Sequence, residues 1–378
     1  MKKCLITSLM AAVTLVGSVI TAPKADADNF VRSEDSTDVK VIVEVAKNLE
    51  GLNEEEIYAS QNKVINSIKS KVTRDFEVVE RYHVLNNAFV IKVNSDAVKE
   101  IKNLEGVADV NIDKMHYKKS TDTNITLSTI GVNGSSTQEI ISKADQDKGD
   151  VEENISATTM NKPSGTNEGE GTIIAVLDNE FYIKGKTADE EAFSHVAYKP
   201  LPEGTIERMT YDSMKAMVRR THAGRSFNSK KAPGEEGSLY FNSKVPFYYD
   251  YGGNIESYGA DGKPDCDVIS NVSYHGSHVS SIIGANANEY KGLAPKCQLV
   301  CMKVFTEYKV DTIGDKLGLS TYSGAYDQYI LAALEDSILI GADVINASIG
   351  SDLDDFDLTS ITMRTIDKLC GEGIIASI

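Results

Sequence analysis

Apolar residues between positions 38 and 118 follow strand-like and helical patterns that predict a compact α+β unit. Strand patterns cover residues 39–46, 76–84, 89–93 and 107–113, and helical spacing covers residues 53–71 and 95–104. Asn86-Asn87 is a two-residue turn signal between the second and third strands, and it predicts a hairpin. The resulting order, β-α-β-β-α-β, is that of the ferredoxin-like arrangement.

From residue 171 onward the pattern becomes that of an α/β domain. Short continuous apolar runs predict strands at residues 172–177, 298–305, 344–349 and 373–378, and helical spacing marks residues 325–341 and 359–370. Strand-helix-strand alternation implies right-handed crossovers, so we predict a parallel sheet flanked by helices. Residues 185–267 are rich in Gly, Pro, Tyr and mixed charge, and we predict an insertion over the surface with some helix near residues 211–220.

The amino terminus has the pattern of an export signal. A basic head, Met1-Lys2-Lys3, precedes an uncharged apolar run over residues 4–22, and Ala25-Asp26-Ala27 supplies a small-x-small cleavage pattern. We therefore predict a signal peptide over residues 1–27, a secreted or cell-envelope location, and no stable membrane span after its removal. The alternative is a membrane-anchoring helix, because about 18 apolar residues can span a bilayer.

A polar segment separates the two folded regions. Residues 119–168 are dominated by Ser, Thr, Asn, Gly and Asp, and they show no apolar periodicity. Such composition is typical of a linker or surface loop. The sequence therefore predicts two domains, residues 38–118 and 169–378, joined by this linker.

Charge and cysteine content exclude two classes of protein, nucleic-acid binders and disulfide-rich scaffolds. The 378 residues include 56 acidic and 39 basic ones, a net charge of −17, and we predict no nucleic-acid partner because phosphate recognition needs clustered Lys and Arg. Beyond the signal, four cysteines are too sparse for a disulfide scaffold: Cys266, Cys297, Cys301 and Cys370. Cys297 and Cys301 stand four apart in an apolar run without His or acidic neighbours, so we predict two small buried residues and no metal.

Two residues have the positions that general-base chemistry needs. Asp178 closes the run at 172–177, at the strand end where open parallel sheets collect functional residues. His275 begins the run H-G-S-H-V-S-S-I-I-G-A, at a predicted helix start. A carboxylate on one ring nitrogen fixes the tautomer while the other nitrogen takes a proton. A metal site at His275 and His278 is the alternative, but H-x-x-H lacks the glutamate and the spacing of the zinc-protease motif.

Four blocks together resemble the subtilisin-like serine proteases, most of all the cell-envelope type represented by lactocepin. They are G-E-G-T-I-I-A-V-L-D at 169–178, H-G-S-H-V-S-S-I-I-G-A at 275–285, G-L-A-P-K-C-Q-L-V-C-M-K-V at 292–304 and G-A-D-V-I-N-A-S-I-G at 341–350. The resemblance implies that Asp178 is the triad carboxylate and His275 the general base. It further implies that Ser348, Ile349 and Gly350 line the substrate cleft, although by pattern alone this stretch is a core strand leaving the sheet.

The resemblance also sets expectations about activity and partners. Residues 38–118 resemble the family's inhibitory propeptide, so the cleft should hold a polypeptide substrate or this propeptide. The family's nucleophile lies in a G-T-S-M-A-x-P motif beyond an oxyanion asparagine, and neither is found in these residues. We therefore expect a secreted serine endopeptidase precursor whose catalytic domain is incomplete, and inactive as given. The alternatives are a non-catalytic inhibitor or chaperone of another subtilase, and a relic fragment.

Calcium is the one cofactor that the resemblance raises. Asp261, Asp265 and Asp267 form an acidic loop, but their spacing does not match the EF-hand pattern. A solvated turn explains this loop, so we predict no cofactor.

Overall fold

The computed structural model describes residues 38–47, 49–119, 168–179, 181, 183, 198–235, 237–252, 275–287, 291–309, 321–349 and 359–377. The chain divides into two compact units, Met1–Asp113 and Lys114–Ile378. The predicted signal peptide, all but the two ends of the predicted linker, Gly350 and the acidic loop at 261–267 lie outside the described residues. No helix in the described ranges is both long and apolar enough to cross a membrane.

The first unit has the predicted element order around an antiparallel sheet. Its elements are β1 (Asp38–Val45), α1 (Glu54–Lys71), β2 (Phe76–Tyr82), β3 (Ala88–Asn94), α2 (Val98–Lys102) and β4 (Val107–Ile112), with a 3₁₀ turn, Ser95–Ala97, before α2. The four strands lie in the order β2-β3-β1-β4, and each neighbouring pair is antiparallel. The ferredoxin-like prediction is confirmed.

Helix α1 begins where its polar residues cap it, and it packs through its apolar face. The Asn53 side chain accepts a hydrogen bond from the Glu56 N–H, and the Glu56 carboxylate accepts one from the Asn53 N–H. This capping box satisfies two of the donors that a helix start leaves open. Behind it, the unit has its own core, which includes Val41, Val64, Ile68, Phe89 and Ile91.

The second unit is built on a five-stranded sheet. Its strands are β6 (Ile173–Asp178), β7 (Phe247–Asp250), β8 (Gln298–Lys303), β11 (Val344–Ala347) and β12 (Ile375–Ser377). They lie in the order β12-β11-β6-β8-β7. Every neighbouring pair is parallel. All residues of β6 and β8 are buried, as continuous apolar runs predict for central strands. The predicted parallel sheet is confirmed.

The prediction that residues 185–267 form an insertion over the surface is wrong, because this segment contributes strand β7 to the sheet. All four residues of β7 are buried, and the strand forms one edge of the parallel sheet. Tyr198, from the same segment, is 1% exposed and lies in the core of the unit. The apolar stretch V-P-F-Y-Y at 245–249 is a strand signal, but neighbouring Gly, Pro and charged residues interrupt the periodicity that would reveal it.

Helices flank this sheet near the positions that the sequence predicts. They are α3 (Tyr211–Met217), α4 (His275–Gly284), α5 (Asp327–Ile340) and α6 (Ile361–Gly371), with 3₁₀ turns at Val218–Arg220 and His222–Ser226. Helix α5 ends at Gly341, whose φ of 77° is in the left-handed region that favours glycine. It begins two residues later than predicted, because Ala325 and Tyr326 end a strand.

A small antiparallel sheet has no counterpart among the elements that the sequence predicts. It contains β5 (Met115–Lys119), β9 (Phe305–Lys309) and β10 (Thr321–Tyr326) in the order β5-β10-β9. Strand β5 thus pairs within the second unit, and the boundary between the units follows Asp113 rather than residue 118. The sequences M-H-Y-K-K and T-Y-S-G-A-Y carry too little apolar alternation to mark these strands.

Candidate active site

Asp178 lies at the carboxyl end of β6, the middle strand of the parallel sheet. It is 1% exposed, and its Oδ1 atom accepts a hydrogen bond from the Asn179 N–H at 2.7 Å. Its backbone carbonyl accepts a hydrogen bond from the Val304 N–H at 3.0 Å, which ties the end of β6 to the residue after β8. The carboxylate is therefore held in one orientation at the edge of the sheet.

His275 is the first residue of α4. Its side chain contacts Asp178, which lies 97 residues earlier in the chain. Its Nδ1 atom lies 2.8 Å from Oδ1 and 3.0 Å from Oδ2 of Asp178. Because an ionised carboxylate only accepts hydrogen bonds, Nδ1 carries the proton and Nε2 is the nitrogen able to accept one. The imidazole is 24% exposed and the carboxylate 1%, so a reacting group can approach the histidine.

Close packing fixes helix α4 against the sheet. The Tyr198 hydroxyl donates to Ser277 Oγ at 3.2 Å, two residues after His275. At the other end of the helix, a Cβ added to Gly284 would lie 2.9 Å from Cys297 Sγ and 3.0 Å from Lys244 Nζ. The absence of a side chain at Gly284 therefore lets the helix that carries His275 approach the start of β8.

Substituting Gly284→Ala is expected to lower the free energy of unfolding by about 1–3 kcal/mol, because the added methyl group overpacks this contact. The matched control is Gly371→Ala at the end of α6, where nothing beyond the adjacent residues and the helix's own backbone lies within 4 Å of the added Cβ. Alanine is the better helix former, so this control should leave stability unchanged or raise it by less than about 1 kcal/mol. Urea unfolding followed by circular dichroism measures both variants. Equal midpoints for Gly284→Ala and the parent chain would contradict the close approach.

Lys244 has a fully buried amino group beside this contact. Its Nζ atom donates to the carbonyls of Pro295 at 3.0 Å and Cys297 at 2.7 Å, just before β8. Burial lowers the pKa of Lys244, and the nearby Cys297 thiol opposes that shift. The lysine therefore anchors the segment at 242–245 to the start of β8.

The other titratable groups around α4 are in their neutral forms at pH 7. Burial lowers the pKa of His278, and the proximity of His275 lowers it further. Burial also raises the pKa of the thiols of Cys297 and Cys301 and of the Tyr198 phenol. Both cysteines are fully buried, which confirms the prediction of small buried residues. In the described part of the chain, no group of three or more His, Cys, Asp or Glu residues could hold a metal ion.

Ser348 and Ile349, two of the predicted cleft residues, follow β11 at the carboxyl ends of the strands, where Asp178 ends β6. Strand β11 pairs in parallel with β6, with Ala347 opposite Leu177. Both residues are half-buried, and Ser348 Oγ accepts a hydrogen bond from Asn346 Nδ2 at 2.9 Å. Gly350 lies outside the described residues. The place of all three residues in a substrate cleft stays a prediction.

A buried ion pair beside Asp178 escapes sequence analysis. Lys303 ends β8 opposite Asp178, and Asp250 ends β7 opposite Lys303. Lys303 Nζ lies 2.8 Å from Asp250 Oδ2, and the two side chains are 3% and 2% exposed. The sequence signal for this ion pair is weak. Lys303 and Asp250, like Asp178, are charged residues at the end of an apolar run.

Comparisons with known proteins identify a family and several relatives that this chain resembles. The profile of the subtilase family matches residues 169–376. The PI-type proteinase of Lactococcus lactis subsp. cremoris is 29% identical over 334 residues, 85% of this chain and 14% of that protein. The PII-type proteinase of Lacticaseibacillus paracasei is 28% identical over 308 residues, 79% of this chain and 12% of that protein. The chain thus spans about 14% of the length of the first of these relatives.

Among solved structures, the epidermin leader peptide processing serine protease of Staphylococcus aureus aligns with 90% of this chain and 59% of its own. The TM-score of that alignment is 0.42, at 13% identity.

Proposed function

This chain belongs to the subtilase family, and we propose that it is part of the precursor of a secreted or cell-envelope serine endopeptidase. The observation that carries the proposal is the hydrogen bond between His275 Nδ1 and the buried carboxylate of Asp178. A carboxylate paired with a partly exposed imidazole at the carboxyl ends of a parallel sheet has the geometry of the Asp–His part of a catalytic triad, which supports the proposal.

In the proposed reaction, His275 Nε2 takes the proton of a serine hydroxyl as that oxygen attacks a peptide carbonyl. Asp178 keeps the proton on Nδ1 and stabilises the imidazolium that forms. His275 then gives the proton to the leaving amine, and a water molecule hydrolyses the acyl-enzyme. The Gly-Thr-Ser motif of the family's nucleophile does not occur among these 378 residues, so the proposal assigns roles to the aspartate and histidine alone.

We propose polypeptides as the partners of the site, either a substrate or the chain's own propeptide. The antiparallel pairing of β5 with β10 supports this, because it places an extended segment of the chain on a strand edge within the second unit. In this proposal, residues 1–27 direct export, the ferredoxin-like unit is the inhibitory propeptide, and residues from about 169 onward form the catalytic domain.

The test uses the natural protein isolated at full length from its source. Its intact mass and carboxyl-terminal peptide establish whether the chain continues beyond Ile378, and a fluorophosphonate probe reports an activated serine. We expect covalent labelling of one serine in a Gly-Thr-Ser context, and loss of labelling in His275→Ala. A natural protein that ends at Ile378, or one that the probe does not label, would refute the protease assignment.

A second candidate is a non-catalytic inhibitor or folding chaperone for another subtilase. It is favoured by one observation, the separate core of the ferredoxin-like unit, which is made entirely from residues of that unit. The discriminating measurement is inhibition of a related subtilase by the whole chain. Inhibition together with an absent nucleophile would support this candidate, and no effect at micromolar concentration would eliminate the inhibitor and leave the chaperone without support.

A further inference from the structure

One stretch of this acidic chain carries only positive charge. Residues 213–234 include six Lys and Arg residues and no Asp or Glu, whereas the whole chain has 56 acidic residues against 39 basic ones. Cations gathered on one surface attract anionic partners and raise their local concentration. The way in which this stretch folds therefore decides whether its charges can act together.

The two 3₁₀ turns that follow α3 pack directly against each other. A Cβ added to Gly224, in the second turn, would overlap the Val218 carbonyl oxygen and lie 3.0 Å from the Arg219 Cα atom in the first. The turns approach this closely because Gly224 has no side chain. Their packing brings together three guanidinium groups, which we call the arginine cluster: Arg219, Arg220 and Arg225.

Buried carboxylates of α5 hold the second turn in place. Asp336 accepts the His222 N–H at 2.7 Å and the Ala223 N–H at 3.1 Å. Glu335 Oε2 lies 3.1 Å from His222 Nε2, and these two side chains are 0% and 3% exposed. The Tyr251 hydroxyl, just past β7, donates to Asp336 at 2.8 Å. The cluster is therefore fixed near the carboxyl end of β7, two strands from β6 in the sheet, and binding a partner need not order it first.

The cluster faces solvent, and two of its members have no acidic partner. All three arginines are exposed, and within the described ranges Arg219 and Arg220 form no ion pair. Two further cations lie together on one side. Lys215 Nζ is 4.5 Å from the centre of the Tyr211 ring, whose hydroxyl donates to the Lys231 carbonyl.

We infer that the arginine cluster is a binding site for an acidic segment of a polypeptide. A guanidinium holds a carboxylate through two parallel hydrogen bonds. One exposed pair contributes little, so an exposed cluster suits several consecutive Asp or Glu residues better than one small ion. A long phosphate polymer fits less well, because the net charge of −17 repels it beyond the cluster. The inference rests on the proposed function only for the identity of the polypeptide as a substrate.

The test measures binding of fluorescein-labelled octaglutamate to the whole chain by fluorescence anisotropy, at low ionic strength, where exposed charges are least screened. We expect the parent chain to bind this peptide in spite of its own negative charge. Replacing all three arginines of the cluster with glutamine should weaken binding about 100-fold, because each exposed pair contributes up to about fivefold.

Gly224→Ala tests the packing of the two turns without changing any charge. The added methyl group must push the turns apart, so we expect about fivefold weaker binding, the effect of one arginine moved out of reach. Circular dichroism verifies that this variant still folds. An affinity equal to that of the parent chain would contradict the close packing of the cluster.

The matched control removes the same charge from exposed positions of the first unit, as Lys63→Gln, Lys71→Gln and Lys99→Gln together. It should change the affinity less than threefold, because distant exposed charges interact weakly. Equal losses in the two triple variants, or no binding by the parent chain, would overturn the inference. Binding of inorganic polyphosphate without the peptide would overturn the choice of occupant. Anisotropy does not depend on catalysis, so a natural protein that no fluorophosphonate labels would refute the proposed function and leave this result standing.

Discussion

In the natural full-length protein, Asp178→Asn is expected to lower kcat about 10⁴-fold with little change in KM, the size of effect seen when a triad aspartate becomes asparagine. The reason lies in the two oxygens of the carboxylate. The Asn179 N–H holds Oδ1 as an acceptor at 2.7 Å, so the amide nitrogen of the variant takes the place of Oδ2, 3.0 Å from His275 Nδ1. Because the variant has lost the negative charge, the remaining Oδ1, 2.8 Å from Nδ1, is a weaker acceptor. We therefore expect the NH₂ group to donate to Nδ1 and the proton to move to Nε2, which can then no longer act as the base.

A second measurement on Asp178→Asn needs no turnover. Long-range ¹⁵N–¹H spectra of the 378-residue chain distinguish the two neutral tautomers of His275. We expect the Nδ1–H tautomer in the parent chain and the Nε2–H tautomer in the variant. The control is Asp343→Asn, which makes the same change of charge just before β11, where Asp343 accepts hydrogen bonds from the Ile173 N–H and from Arg208. Neither kcat nor the tautomer should change in this control. An unchanged tautomer in Asp178→Asn would contradict the orienting role of the carboxylate.

The parts of the fold that periodicity predicts are those that local sequence encodes. Strand β6 is an unbroken apolar run, and α1 has both its cap and its apolar face in adjacent residues. The Asp178–His275 pair is predictable for a related reason. A strand end and a helix start are local signals, and the parallel sheet brings such ends to one edge.

The parts that escape prediction depend on partners distant in sequence. Strand β5 pairs with β10 across about 200 residues of chain, and neither strand alternates clearly between apolar and polar residues. Strand β7 lies within a segment whose composition is that of a surface insertion. In both cases the neighbour that buries the strand, rather than the strand itself, decides the structure.

The second large effect is expected on substitution of Lys303, which lies at the carboxyl ends of the strands beside Asp178. Lys303→Met should lower the free energy of unfolding of the second unit by about 3–5 kcal/mol, because it leaves the Asp250 carboxylate buried without its counter-charge. The two groups are 2.8 Å apart and 3% and 2% exposed, so little water can compensate for the loss. Urea unfolding followed by tyrosine fluorescence measures the change, since the chain has 17 tyrosines and no tryptophan.

A double variant separates the contribution of the ion pair to stability from the destabilisation caused by removing one partner. Lys303→Met with Asp250→Leu should recover most of the lost stability, because a buried ion pair and an apolar pair of similar volume are often nearly equivalent.

The matched control is Lys102→Met. Its partner Asp109 is also 2.8 Å away, but the two side chains are 57% and 38% exposed. An exposed pair contributes about 0–1 kcal/mol, so this control should unfold close to the parent chain. Equal losses in Lys303→Met and Lys102→Met would show that burial does not set the strength of the pair. A double variant as unstable as Lys303→Met would mean that the ion pair itself, beside Asp178, holds the strand ends in place.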